Sequence, residues 1–183
     1  PAFGLDLDQL REGIVALDAV ADARVRIRPG GILQIDIDER KPALVWRTEA
    51  GLMLLDAKGH RVAQTPSRAD WPELPLIAGR GARDHVVEAL ELIEAADPLK
   101  DRIRGLVRVG ERRWNLELDR DQRILLPELR PVQALEGIIA LDQARKILDR
   151  DVVQVDLRNP SRPTLRLAEN AVTELRRIKG ITQ

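Results

Sequence analysis

Apolar residues recur every three or four positions through Leu7, Leu10, Ile14 and Leu17, which predicts a helix from Leu7 to about Asp18. Asp6 and Gln9 have the spacing of a capping box at its start. The period then falls to two. Arg24–Arg28 alternates as a strand, Pro29-Gly30-Gly31 turns the chain, and Leu33, Ile35 and Ile37 alternate with Gln34, Asp36 and Asp38. Helix and hairpin make a compact unit over 1–42. From Ala43 short strands follow at Leu44–Arg47, Leu52–Leu55 and Arg61–Ala63, and Pro66, Pro72 and Pro75 mark an irregular stretch around Trp71. A second helix is expected over Asp84–Ala95, with a short helical piece opened by Asp97-Pro98. Strands return at Leu106–Val109, Trp114–Leu118 and Arg123–Leu126. The longest helix runs from Val132 to about Leu148, on Leu135, Ile138, Ile139 and Leu141.

A last hairpin closes the pattern. Val153, Val155 and Leu157 alternate, Asn159–Pro163 turns, and Leu165 and Leu167 alternate again before a helix over Glu169–Ile178 that frays into Ile181-Thr182-Gln183. Hairpins separated by helices predict an α+β chain, mostly antiparallel, with a second domain over 43–183.

Composition narrows the function classes. Thirty basic and thirty acidic residues cancel in a chain of 183, which disfavours a nucleic-acid binder. With three Trp, one Phe and no Tyr, aliphatic residues fill the core and base-stacking platforms are excluded. Cysteine is absent, which removes disulfides, thiolate metal sites and a Cys nucleophile together. No apolar run approaches the roughly 18 residues of a membrane span. The chain begins at Pro1, and is expected to be a portion of something longer.

Catalytic patterns are not found. The serines are Ser67 and Ser161, neither in a nucleophile turn, and His60 and His85 stand among charged residues as turn or surface groups. Two distant histidines make no zinc site, and no cofactor is expected. The paired acids Asp6/Asp8, Asp36/Asp38 and Asp119/Asp121 read as solvated faces or turns. Gly79-Arg80-Gly81 lacks the third glycine of a dinucleotide loop. Arg102, Arg104, Arg108, Arg112 and Arg113 form the densest basic stretch, read as a solvated or salt-bridged sheet face because acids follow at Glu117, Asp119 and Asp121.

One interaction feature stands out. No strand is predicted beyond Thr164–Ala168, so this segment, with Pro160 and Pro163 ahead of it, has the pattern of a sheet edge open to a partner strand. Periodicity leaves open whether the C-terminal helix covers it.

Motifs along the chain resemble the bacterial FtsQ/DivIB cell-division family. Leu5-Asp6-Leu7-Asp8, Ala23-Arg24-Val25 and Glu39–Arg47 resemble its polypeptide-transport-associated (POTRA) unit and the exit from it. Leu55–His60 is similar to the family's Asp-x-x-Gly hairpin, and Leu74–Gly79 to its Leu-Pro-x-Leu-x-Gly loop. Arg112–Leu116 and Val155–Asn159 are similar to its β-domain, so that the likeness covers roughly 5–168.

The resemblance implies a non-catalytic divisome scaffold: an inner-membrane, single-pass protein whose periplasmic POTRA and β-domains bind partners. The β-domain would recruit FtsB and FtsL by strand addition, and POTRA would face other division proteins. Carried onto this chain, it implies partner binding through Arg158, Asn159, Ser161, Thr164, Leu165, Arg166, Leu167 and Ala168, with Arg158 meeting an acid on FtsB and Leu141 beside the surface. The family has aromatic residues where Asn159 and Leu167 fall, so main-chain bonds, Arg158 and the aliphatic Leu165 or Leu167 are expected to carry the contact. The POTRA unit is expected to be incomplete at its amino end, and the membrane helix to lie outside this chain. The alternative is a POTRA-containing outer-membrane assembly or secretion component; an enzyme dependent on His60 or His85 is a third reading.

Overall fold

The computed structural model describes residues 5–178. The chain divides between Leu74 and Pro75 into two compact units. It has the expected α+β class, helices with mostly antiparallel strands.

In the first unit, α1 (Leu7–Val15) is capped by Asp6, whose Oδ1 accepts from the N–H groups of Asp8 and Gln9 at 3.1 and 3.0 Å. The helix ends short of Asp18. Leu17 N–H bonds Ile14 and Val20 N–H bonds Leu17, a tight exit that delivers the chain into β1 (Val20–Arg28). β1 pairs antiparallel with β2 (Ile32–Glu39) across Gly30 and Gly31, both at positive φ.

Register sorts this hairpin into two unlike faces. Val25 opposes Ile35 and Ile27 opposes Leu33 on an apolar face, against which α1 packs at the β1 end. Val20 and Ala23 are buried there, but Ile27, Leu33, Ile35 and Ile37 stay exposed. The opposite face is ionic, with Arg26 on Asp36 at 2.6 Å and Arg24 on Asp38 at 3.6 Å. The Asp36/Asp38 pair is therefore a salt-bridged strand face.

Arg40 ties the hairpin to the meander after it. Its guanidinium donates to the carbonyls of Asp18 (3.1 Å) and Val20 (2.9 Å) and to the Asp56 carboxylate (2.7 Å). Beyond it β3 (Leu44–Thr48), β4 (Gly51–Leu55) and β5 (Arg61–Thr65) pair antiparallel in that order. In the β4–β5 turn, Asp56 Oδ1 accepts from the N–H groups of Lys58 (2.9 Å) and His60 (2.8 Å), and Oδ2 meets the His60 ring at 3.0 Å. The Pro-rich stretch folds around Arg68, which donates to the carbonyls of Trp71, Pro72 and Leu74.

The second unit is built on β6 (Leu76–Ala78), β7 (Ile103–Val109), β8 (Arg113–Leu118), β9 (Arg123–Leu125), β10 (Val152–Asp156) and β11 (Thr164–Leu167). These are hydrogen-bonded in the order β11-β10-β9-β8-β7-β6. β6/β7 and β9/β10 are parallel pairs, joined through α2 (Val86–Ala95) and α3 (Pro131–Arg145); the others are antiparallel. Sequence patterning placed no strand at β6, because three residues close after a proline are too few to show a period. Gly79, at φ 100°, ends it; a Cβ there would sit 2.2 Å from the Arg108 carbonyl oxygen.

Leu106, Trp114, Leu116, Ile124 and Val155 are buried together with Val86, Ala89 and Leu92 of α2 and Leu135, Ile138 and Ile139 of α3. Glu88 of α2 reaches the sheet, accepting from Arg108 at 2.5 Å and from the Trp114 indole at 2.9 Å, with the guanidinium 5.0 Å above the indole ring. Arg102 pairs with Asp119 at 2.9 Å. Arg102, Arg108 and Arg112 of the basic stretch are thus held in separate salt bridges.

α3 departs from its pattern toward its carboxyl end. Leu141 is 40% exposed and Asp142 takes the inward position, where its carboxylate accepts from Leu148 N–H at 2.6 Å. Lys146, at φ 51°, stops the helix before Leu148. α4 (Glu169–Ile178) forms where predicted; the expected frayed end lies outside the described residues.

Candidate partner-binding surface

The surface is assembled at the β10–β11 hairpin. β10 is anchored at its start by Gln122, whose amide donates to the carbonyls of Val152 (2.6 Å) and Leu148 (3.0 Å). It is held along its length by parallel pairing, Gln154 to Arg123 and Asp156 to Leu125. A bulge between Val152 and Gln154 places Val152 inward with Val155 and Leu157, where patterning expected Val153.

β11 has one sheet neighbour, β10, among the described strands. Thr164, Leu165 and Arg166 are exposed, which leaves the outer side of the strand accessible. Half of an edge strand's backbone N–H and C=O groups point outward. Leu165 stands opposite the buried Val155 and is 48% exposed, so it extends the apolar face to the rim of the sheet. Arg166 stands opposite Gln154 and Thr164 opposite Asp156, on the other face.

Beside this edge a cleft of about 370 Å³ is lined by Arg113, Asp156, Arg158, Asn159, Arg162 and Thr164. Three guanidinium groups against one carboxylate give it a net positive field. Arg158 is already engaged: its Nε and Nη2 grip Asp156 at 2.9 and 2.6 Å. That grip holds the Asp156 carboxyl below its ordinary range; burial opposes the effect, and the Arg113 charge adds to it. The Arg158 guanidinium is correspondingly shifted upward by the same pair. Arg162 has no ion pair among the described residues. An incoming carboxylate therefore finds one uncommitted cation at Arg162 and two others whose charge Asp156 only partly offsets.

Of the residues expected from the sequence, Arg158, Asn159 and Thr164 share the cleft, and Leu165 and Arg166 line the adjoining strand. Asn159 shapes the turn, with Oδ1 accepting from Ser161 N–H at 3.1 Å, so Ser161 has a structural partner there. Leu167 and Ala168 are half-buried at the strand's end, where Ala168 N–H bonds the Asp151 carbonyl at 2.8 Å. Leu141 sits on α3 and does not line the cleft. Arg113 and Arg162 were not read as site residues. Arg113 stood in the basic stretch, and only the strand order β8-β9-β10-β11 brings it to the hairpin.

His60 is paired with Asp56, and His85 lies 3.8 Å from Glu88. No cluster of three His, Cys, Asp or Glu side chains fit to hold a metal occurs among the described residues. No helix among them is long and apolar enough to cross a membrane.

Comparison with known proteins adds an independent line. Residues 44–158 match the family model for cell division protein FtsQ/DivIB, C-terminal. The chain is 53% identical over 182 residues to the cell division protein FtsQ of Roseobacter litoralis, covering all of this chain and 62% of that protein. It is 52% identical over 180 residues to FtsQ of Cereibacter sphaeroides, covering 98% of this chain and 58% of the relative. FtsQ of Caulobacter vibrioides is 34% identical over 168 residues, covering 91% and 55%. The chain thus spans about three fifths of the length of these first two relatives.

Proposed function

The chain belongs to the FtsQ/DivIB family of cell-division proteins, and on that premise we propose that it is a non-catalytic scaffold of the divisome. It is the periplasmic portion of a single-pass inner-membrane protein. Residues 5–42 are part of a POTRA domain that faces other division proteins, and the β-domain begins at Ala43 and recruits FtsB and FtsL. The observation that carries the site is a free edge strand, β11, beside an arginine-lined cleft.

In this reading a segment of FtsB adds as a strand along Thr164–Ala168, giving the edge its missing main-chain partners. A carboxylate on that segment enters the cleft toward Arg158. Because Arg158 grips Asp156, the incoming acid shares the guanidinium or displaces Asp156 onto Arg113. Leu165 and Leu167 supply aliphatic contact, and no ring is needed at Asn159 or Leu167.

The test is binding of a peptide from the periplasmic end of the partner FtsB, measured by calorimetry. Arg158→Glu and Leu167→Lys are each expected to weaken it tenfold or more, and undiminished binding in both variants overturns the edge-strand site.

A further inference from the structure

A second open edge lies in the first unit. β5 ends its meander and has one sheet neighbour, β4, among the described strands. Its bulge falls at Val62, and from Ala63 to Thr65 its pairing is regular. The strand carries no proline and no charge after Arg61, and Arg61, Ala63 and Gln64 are exposed. Proteins usually block an edge with proline or charge along its length. β11, by comparison, has Pro160 and Pro163 ahead of it and Arg166 within it.

The register gives this edge a side-chain pocket. Trp46, Met53 and Gln64 stand opposite one another across β3, β4 and β5, so they form one rung on one face. They line a cleft of about 500 Å³ together with Thr48, Glu49 and Arg61. The rung is apolar at two strands and stops at Gln64, where a fourth strand would place its own side chain. Trp46, one of the residues lining that cleft, keeps its Nε1–H buried with no acceptor. At the amino end of β5, Lys58 and Arg61 are exposed and have no ion pair among the described residues.

We propose that β5 is a second strand-accepting edge. Its occupant is an extended segment of another protein, with a bulky aliphatic residue opposite Gln64 and a carboxylate at the end that meets Arg61. Charge selects this occupant over a second copy of the chain. Two β5 strands paired about Ala63 would set Arg61 against Thr65, leaving both basic ends unmatched. The site uses none of the residues of the β11 edge, and its test separates the two.

The probes are two blocked heptapeptides of alternating Val and Thr, with Glu at one end or the other, titrated into the whole chain and followed by amide NMR. Saturable shifts are expected at Val62–Thr65 and at the Trp46 indole N–H. They should vanish when alternate peptide amides are N-methylated, weaken at least tenfold in Arg61→Glu, and persist in Leu165→Pro. No saturable shift at millimolar peptide, or shifts confined to Thr164–Leu167, overturns the proposal. So does sedimentation showing dimers that Gln64→Lys abolishes, because the edge is then filled by a second copy.

Discussion

Asp56 shows how one side chain organises a turn and a junction together. Burial alone pushes its carboxyl upward, but bonds from Arg40, from the His60 and Lys58 N–H groups and from the His60 ring outweigh that and hold it at about 2. A carboxyl depressed below its unfolded value stabilises the fold above that unfolded value, near 4, and stops doing so as pH falls through the folded one. Stability from this residue is therefore expected at pH 5 and lost between about 4 and 2. Urea midpoints measured across that window should fall more steeply for the wild type than for Asp56→Asn. Arg40→Ala leaves the carboxylate largely buried and without its cation, and should cost about 3 kcal/mol at pH 7 by the same measurement. The Asp-x-x-Gly spacing made the turn visible in sequence. Its bond to Arg40 was not visible, because the partners are brought together only by the strands between them.

At the scale of elements, local chemistry was legible wherever a cap or an alternation acted within its own segment. Asp6 starts α1, and β4, β8 and α4 lie where the pattern put them. The misses have tertiary causes. β6 is too short to carry a period and exists through its pairing with β7; α3 stops early because Asp142 turns inward to hold Leu148. The cleft was half legible: Arg158, Asn159 and Thr164 are local to the hairpin, whereas Arg113 arrives through two intervening strand pairings. Glycine separates local from tertiary demand in the same way. Gly79→Ala drives a methyl into the Arg108 carbonyl at positive φ and should destabilise by about 2 kcal/mol or more. Gly13→Ala, inside α1 with open space around it, should stabilise by about 0.5–1 kcal/mol. Paired thermal melts read both signs.

For the whole molecule, charge balance and exposed aliphatic surface act together. Formal charge is zero and the isoelectric point is near 7.4, so electrostatic repulsion between copies is weakest at neutral pH. Ile27, Leu33, Ile35 and Ile37 present a contiguous uncovered face on the β1–β2 hairpin. Light scattering of this chain should accordingly show most self-association near pH 7.4. The double change Ile35→Lys and Ile37→Lys should reduce it by breaking the face and adding net charge; an unchanged scattering profile would mean that other surfaces drive association.

The parallel pairing of β9 with β10 sets an order of events in folding. Arg123 meets Gln154 only after the intervening chain, including α3, has closed a long loop, and such closures are slow compared with hairpins and helices. The β10–β11 hairpin can form early, but it becomes the rim of a sheet only when that closure is complete. A chain stalled or cut before β10 presents a different rim, at β9, with neither Arg158 nor Leu165. Under the proposal that a partner strand adds at β11, binding there would report that this unit has finished folding, and a copy stalled before β10 would fail the same peptide-binding test.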